Sequence, residues 1–274
     1  MNNKKYIKLQ FSDTDDGQKD QLIALLADIG FTGFEEEKKT LNAFIEEKNF
    51  NNNELADVLK IIPASYSKTT VEEENWNALW ESSFEPILVS DFVGIRAFFH
   101  PPVEHVRHEI VITPKMSFGT GHHATTFMMI EQMEALDITE KTVMDFGTGT
   151  AVLAILAEKM GAVKIDAVDY DDWSIKNSIE NVAANNCSTI NLIKDETIST
   201  GSVYDIILAN INLNVIISNM DAIKAAAKKG AYILLSGFTR ADEAFMLEKL
   251  EKNGICPLKT VQKDEWLSIL AEMR

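Results

Sequence analysis

Cysteine is almost missing from this chain of 274 residues: Cys187 and Cys256 stand far apart, in no recognisable motif. Two thiols so placed set up no disulfide framework, which points to a reducing compartment. Basic residues are also short, with 26 Lys and Arg against 42 Asp and Glu and a formal net charge of -16. Lys and Arg contacts to phosphate supply most nucleic-acid affinity, so a direct RNA or DNA substrate is not expected. No apolar run approaches the ~18 residues of a membrane span. The opening Met1-Asn2-Asn3-Lys4-Lys5-Tyr6-Ile7-Lys8 lacks the apolar core of a secretion signal, so a cytoplasmic location without a membrane partner is expected. There is no internal repeat, no low-complexity tract and no Ser or Cys nucleophile constellation. His122 and His123 adjoin, but no Cys or carboxylate partner stands at ligand spacing, so no metal is expected.

What is present begins with a hydrophobic content of 46%, enough for one large α/β core and a smaller domain. An apolar lead-in, Thr142-Val143-Met144-Asp145-Phe146, reaches Gly147-Thr148-Gly149 and then a helix-like run from Val152 to Lys159. The pattern reads as strand, tight turn, helix. Glycines at such a turn admit positive φ and let the backbone approach a ligand closely. Dinucleotide binders place a third small residue two positions after the second glycine's neighbour, as Gly-x-Gly-x-x-Gly/Ala, and Val152 stands there instead. The small residue comes one earlier, at Ala151, and a carboxylate, Asp145, precedes Gly147 by two. Ala162 to Asp169 reads as the next strand. Asp169 at its end lies about 20 residues after the loop, where a ribose-binding acid belongs. It can equally be an acid at a helix N-terminus, since Asp171 and Asp172 follow and Trp173 opens an amphipathic run.

Other signals flank this loop. Before it stands Ser117-Phe118-Gly119-Thr120-Gly121-His122-His123-Ala124-Thr125-Thr126; after it come Ala209-Asn210-Ile211, Leu235-Ser236-Gly237 and Asp264-Glu265-Trp266. The Asp145 loop resembles the nucleotide-binding loop of class I methyltransferases, with Ala151 replacing a third glycine. In their order, the signals resemble the ribosomal protein L-eleven methyltransferases, the PrmA family, from about Trp76 to the C-terminus. The resemblance implies a Rossmann-like, doubly wound α/β sheet and S-adenosyl-L-methionine as cofactor. It carries the family's cofactor ligands onto Thr126, Gly147, Asp169 and Asn210, with Phe118, Gly149 and Asp145 beside them. It also implies ribosomal protein L-eleven, free or ribosome-bound, as the substrate methylated on lysine or N-terminal amines.

Each ligand also has a reading from its residues. Thr126 offers a hydroxyl at the start of a helix expected over Phe127 to Ala135, where a carboxylate is favoured; a simple helix cap is the alternative. Asn210 ends a strand at the point where open α/β sheets bind ligands, which makes it the candidate catalytic residue. Asn210-Ile211-Asn212-Leu213 lacks the Pro-Pro-aromatic platform that stacks a flat base, so an aliphatic amine is the expected acceptor. Deprotonating a lysine of pKa about 10.4 at neutral pH costs roughly 4 to 5 kcal/mol, and an α-amine near about 8 only about 1 kcal/mol. Desolvation and a nearby sulfonium push the amine toward neutrality, so no dedicated base is required. A methyltransferase that uses the same cofactor on another protein, a small amine or RNA, and a silent binding module of the same fold, are the rival functions.

The first part reads as a separate module. Strands are expected over Tyr6 to Phe11, Phe31 to Glu37, Leu41 to Glu46 and Tyr66 to Glu72, with helices over Gln18 to Ile29 and Glu54 to Ile62. The order βαββαβ is ferredoxin-like. Three parts are therefore expected: a substrate-recognition domain over 1–72, a linker over 73–91 and a catalytic domain over 92–274, in a monomer. Trp76 and Trp80 in the linker share a helical face and either bury or meet substrate. Glu35-Glu36-Glu37 and Glu72-Glu73-Glu74 are either solvated faces or a lure for a basic protein. Further on, Phe92 to Phe99 and His108 to Thr113 read as strands around a turn at Pro101-Pro102. A helix over Ala241 to Lys252 precedes strands around Pro257 to Gln262 and Trp266 to Ala271, which the resemblance makes an antiparallel hairpin.

Overall fold

The computed structural model describes residues 5–12, 14–36, 39–72, 84–113, 121–198 and 201–274, and it divides into two compact units, Met1–Ser82 and Ser83–Arg274.

The first unit runs β1 (Lys5–Ser12), α1 (Asp16–Asp28), β2 (Gly33–Glu36), β3 (Thr40–Glu46), α2 (Asn52–Ile61) and β4 (Tyr66–Glu72). Its sheet is ordered β2-β3-β1-β4, with β1 antiparallel to both β3 and β4, which is the ferredoxin-like arrangement. The helices begin where a side chain takes up a free N–H: the Asp15 carboxylate accepts from Gln18 N at 2.8 Å and Asn51 Oδ1 from Asn53 N at 2.9 Å. Both helices therefore start earlier than apolar spacing alone predicts. Alternation along β1 turns Ile7, Leu9 and Phe11 inward, where they pack with Leu22, Leu26, Leu41 and Ile45. Each such burial stabilises by about 1.5–3 kcal/mol.

The expected linker is only partly described. Residues 73–83, including Trp76 and Trp80, lie outside the described residues, whereas Ile87–Val89 is already a strand of the second unit. That strand, β5, joins β6 (Val93–Ala97) and β7 (His108–Ile112) in a three-stranded sheet. β6 and β7 pair in parallel, so residues 98–107 with their two prolines form a crossover and not a hairpin turn.

The large sheet consists of β8 (Thr142–Phe146), β9 (Lys164–Asp169), β10 (Ile190–Lys194), β11 (Tyr204–Asn210), β12 (Ala227–Thr239), β13 (Ile255–Lys263) and β14 (Trp266–Met273). Its order is β10-β9-β8-β11-β12-β14-β13. The first five are parallel, and β14 is antiparallel to β12 and β13, closing the expected terminal hairpin. The central strands are near-continuous apolar runs because both of their faces are covered: Val143, Met144, Ile207, Leu208, Ile233 and Leu234 are fully buried. The helices of this unit are α3 (Ala124–Met133), α4 (Val152–Lys159), α5 (Asp172–Ala184), α6 (Leu213–Ser218), α7 (Met220–Ala226) and α8 (Glu243–Lys252). α8 starts after a short 3-10 turn, Arg240–Asp242, whose Thr239 and Asp242 form a capping box. Strand order reverses between β8 and β11, and the carboxyl ends of these two strands flank the crevice where such sheets take ligands. Among the described residues, no helix is long and apolar enough to cross a membrane.

Candidate active site

The loop after β8 is held in an unusual backbone path. Gly147, Gly149 and Ala151 all take left-handed φ, at 74°, 56° and 63°. The N–H groups of Gly147 and Thr148 both donate to Val168 O, at 2.8 and 2.9 Å, which folds the loop over the end of β9. A Cβ at Gly147 would come within 2.8 Å of Ile211 Cδ1, so only glycine fits there without a shift. Ala151 takes the conformation that a glycine adopts freely, at a cost of about 1–2 kcal/mol, and it stands as the N-cap residue just before α4.

Asp145 is 1% exposed and braces this loop from inside, its Oδ2 accepting the Thr148 hydroxyl at 2.6 Å. Burial, reinforced by the neighbouring Asp169 carboxylate, pushes the Asp145 carboxyl up to about 6 against the pull of its hydrogen bonds. Asp169, at the end of β9, spans loop and strand: Oδ2 accepts from Gly149 N at 2.9 Å and Oδ1 from Asp171 N at 3.0 Å. The helix cap of α5 is Asp171, whose Oδ2 accepts from Ser174 N at 2.9 Å. The alternative reading of Asp169 as an ordinary helix acid therefore belongs to its neighbour.

On the other side of the crevice, Asn210 Nδ2 donates to Thr126 Oγ1 at 3.1 Å, joining residues 84 positions apart. Thr126 lies inside the first turn of α3 and not ahead of it. The helix starts at Ala124 because His123 caps it, its Nδ1 accepting from Thr125 N and bonding Thr125 Oγ1 at 2.8 Å. Histidine is an uncommon cap, and for that reason the sequence pattern placed the start three residues late.

Behind Asn210 the chain is clamped. Ile211 N donates to Ser236 O at 3.2 Å, and β12 slips register between Ser236 and Phe238, leaving Gly237 bulged with φ 99°. A Cβ at Gly237 would lie 2.2 Å from Ile211 O. Sequence reasoning had Gly237 only as part of a resemblance, although a glycine inside a strand itself signals a bulge or a close backbone approach. Ile211 thus lies between the two glycines and connects the Asn210 side of the crevice with the loop side.

Of the expected ligands, Asp145, Gly147, Gly149 and Asp169 gather round the loop, and Thr126 and Asn210 pair opposite. Phe118, Gly119 and Thr120 lie outside the described residues. His123 meets the ring of Trp266 edge-on at 4.7 Å, which brings the terminal hairpin to the start of α3. His122 packs against Phe84 at 4.6 Å, and burial lowers its pKa. Among the described residues, no group of three His, Cys, Asp or Glu is arranged to hold a metal ion. A further feature escaped the sequence reading: asparagines at 177 and 181 in α5 and at 185 just past its end, four apart, the first two fully buried. Asparagine is a poor helix former, so its repetition on one helical face was the available signal.

A doubly wound sheet of this order, with a glycine loop after its first strand and an acid closing its second, has the class I methyltransferase fold. A model of the family described as "Ribosomal protein L11 methyltransferase (PrmA)" matches residues 8–274. The ribosomal protein L11 methyltransferase of Phocaeicola vulgatus is 34% identical over 275 residues, covering 97% of this chain and 98% of its own length. That of Chlorobaculum tepidum is 37% identical over 280 residues, covering 97% and 96%. Among solved structures, a ribosomal protein L11 methylase from Lactobacillus delbrueckii subsp. bulgaricus shares the fold with a TM-score of 0.65 at 24% identity, covering 70% of this chain and 100% of that one. The chain belongs to the ribosomal protein L11 methyltransferase (PrmA) family.

Proposed function

We propose that this protein transfers methyl groups from S-adenosyl-L-methionine to lysine or N-terminal amines of ribosomal protein L-eleven, free or on the ribosome. It does so in the cytoplasm, as a monomer. The observation that carries the reading is the Asn210–Thr126 hydrogen bond across the crevice from the glycine loop.

The residues fit the cofactor. The left-handed backbone at Gly147 and Gly149 leaves the loop free of side chains on a path where a Cβ at Gly147 would clash. Asp169 accepts one N–H at each oxygen, and each keeps a lone pair for a ribose hydroxyl. Thr126, in the first turn of α3, and Asn210 suit the amino-acid end, where the positive end of the helix favours a carboxylate. Phe118 and the Asp145 brace complete the set. Bound S-adenosyl-L-methionine supplies a methyl group on a positively charged sulfur.

The chain's own part in the reaction is orientation. With Nδ2 held by Thr126, the Asn210 side-chain oxygen accepts an N–H of the incoming amine and fixes its direction. Asn212 is occupied as the cap of α6, its Oδ1 accepting from Val215 N at 3.1 Å, so no flat platform faces the acceptor there. Excluding water from the amine favours its neutral form. The net charge of -16 suits a basic protein as partner. Residues 1–72 serve as the recognition domain, and the catalytic domain takes in 92–274 together with β5, Ile87–Val89, which falls inside the expected linker of 73–91.

Labelled S-adenosyl-L-methionine incubated with unmethylated ribosomal proteins, followed by intact and peptide mass spectrometry, tests the proposal. Label on lysines or the N-terminus of protein L-eleven is expected. Label on another acceptor would discard the substrate, and no label despite cofactor binding would discard the enzyme.

A further inference from the structure

β7 is an edge strand of its three-stranded sheet, and helix α5 takes up the backbone groups that no neighbouring strand reaches. Asn185, just past the helix, accepts from Val111 N at 2.9 Å and donates to Val111 O at 2.6 Å. Asn181 Oδ1 accepts from Thr113 N at 2.8 Å, and Asn177 Nδ2 donates to Thr113 O at 3.2 Å. The match is geometric, because four helical residues rise about 6 Å and two strand residues about 6.6 Å. Asn181 and Asn185, four apart, therefore meet Thr113 and Val111, two apart.

Asn181 also faces the other way. Its Nδ2 donates to Thr150 O at 2.9 Å, and the Ser178 hydroxyl donates to Gly149 O at 2.7 Å while sharing Ser174 O. Both side chains are fully buried. One amide thus links strand β7 to the glycine loop. The loop needs such support, since three left-handed residues within five have no repeating backbone hydrogen bonds of their own. Held by Asn181 and Ser178, the carbonyls of Thr150 and Gly149 point toward α5.

We propose that Asn181 and Ser178 are positioning residues for the S-adenosyl nucleoside: both fix the peptide planes of the loop, and Asn181 also ties them to Thr113 at the end of β7. The inference rests on the reading of this loop as the cofactor site. Its test is calorimetric titration of S-adenosylhomocysteine into wild-type protein and the Asn181→Ala, Ser178→Ala and Asn185→Ala variants, with a urea midpoint for each. Asn185 grips β7 and makes no contact with the loop carbonyls, so its removal reports the structural cost alone. The dissociation constant rises tenfold or more in Asn181→Ala and at least threefold in Ser178→Ala, but stays within twofold in Asn185→Ala despite a lower urea midpoint. If Asn181→Ala fails to fold, Ser178→Ala, missing one hydroxyl, decides alone. Wild-type affinity in Ser178→Ala, or weakening in all three variants in proportion to lost stability, overturns the inference. A wild-type protein that does not bind S-adenosylhomocysteine overturns instead the reading of the loop.

Discussion

An alanine at position 237 would bring its Cβ to 2.2 Å from the carbonyl oxygen of Ile211 and 2.6 Å from the carbonyl carbon. Both obstacles are backbone atoms, so no side-chain rotation relieves the overlap. Forcing an extra methyl into a packed site costs about 1–3 kcal/mol, and a left-handed backbone costs a residue with a Cβ about 1–2 kcal/mol more. The sum is a loss of about 2–5 kcal/mol of stability. Relief requires the Ile211 carbonyl to retreat, and Asn210 moves with it, stretching the 3.1 Å bond to Thr126. A displacement near 1 Å at a reacting group costs on the order of 100-fold in rate, so kcat/KM should fall by about that factor. Gly230→Ala is the control within the same strand: φ is 79°, but the nearest atom, Glu272 Oε1, lies 3.9 Å away. It carries the backbone strain without the overlap and should cost about 1–2 kcal/mol while leaving kcat/KM unchanged. Urea unfolding followed by circular dichroism, together with methyl-transfer kinetics, separates the two variants. If Gly237→Ala matches Gly230→Ala in both midpoint and turnover, the close approach does not shape the Asn210 site.

Further outcomes follow from the same geometry. Asp145 titrates near about 6 when folded against about 3.9 unfolded, so folding favours its protonated form. That contribution is full below about pH 4 and lost as pH rises toward 6, leaving a cost of about 3 kcal/mol at neutral pH. Asp145→Asn should therefore raise the urea midpoint at pH 7.5 and lose that advantage at pH 4; parallel stability curves for the two proteins would refute the assignment. Asp169→Ala should weaken S-adenosylhomocysteine binding at least tenfold, whereas Asp171→Ala should lower the unfolding midpoint and leave binding alone, with calorimetry deciding. Asn210→Ala should cut kcat/KM by about 100-fold, equivalent to about 3 kcal/mol in the barrier, and full turnover with normal cofactor affinity would sink its catalytic role.

Where signals were local, the elements could be read directly. The helix Val152–Lys159 and the strand Tyr66–Glu72 match their expected ranges because periodicity and flanking breakers mark them. The ferredoxin-like sheet order followed from element order alone. The histidine cap of α3 and the parallel pairing of β6 with β7 were not legible, since one uses an unusual residue and the other depends on register between distant segments. The same holds within the site. Motif spacing singled out Asp145 and Asp169, but not that Asp145 turns inward to Thr148 or that Asp169 holds Gly149. Gly237 and Asn181 act on backbone 26 and 31 residues away in sequence, at Ile211 and Thr150, which no local pattern records.

The asparagines of α5 also set a timetable for synthesis. Val111 waits for Asn185, 74 residues further along the chain, which at about 5–20 residues per second takes about 4–15 s to be made. Through that interval the rim of β7 is an open template for any strand that drifts past, including one from a neighbouring nascent chain. Once α5 docks, its side chains occupy the places a foreign strand would have taken, and the template is closed.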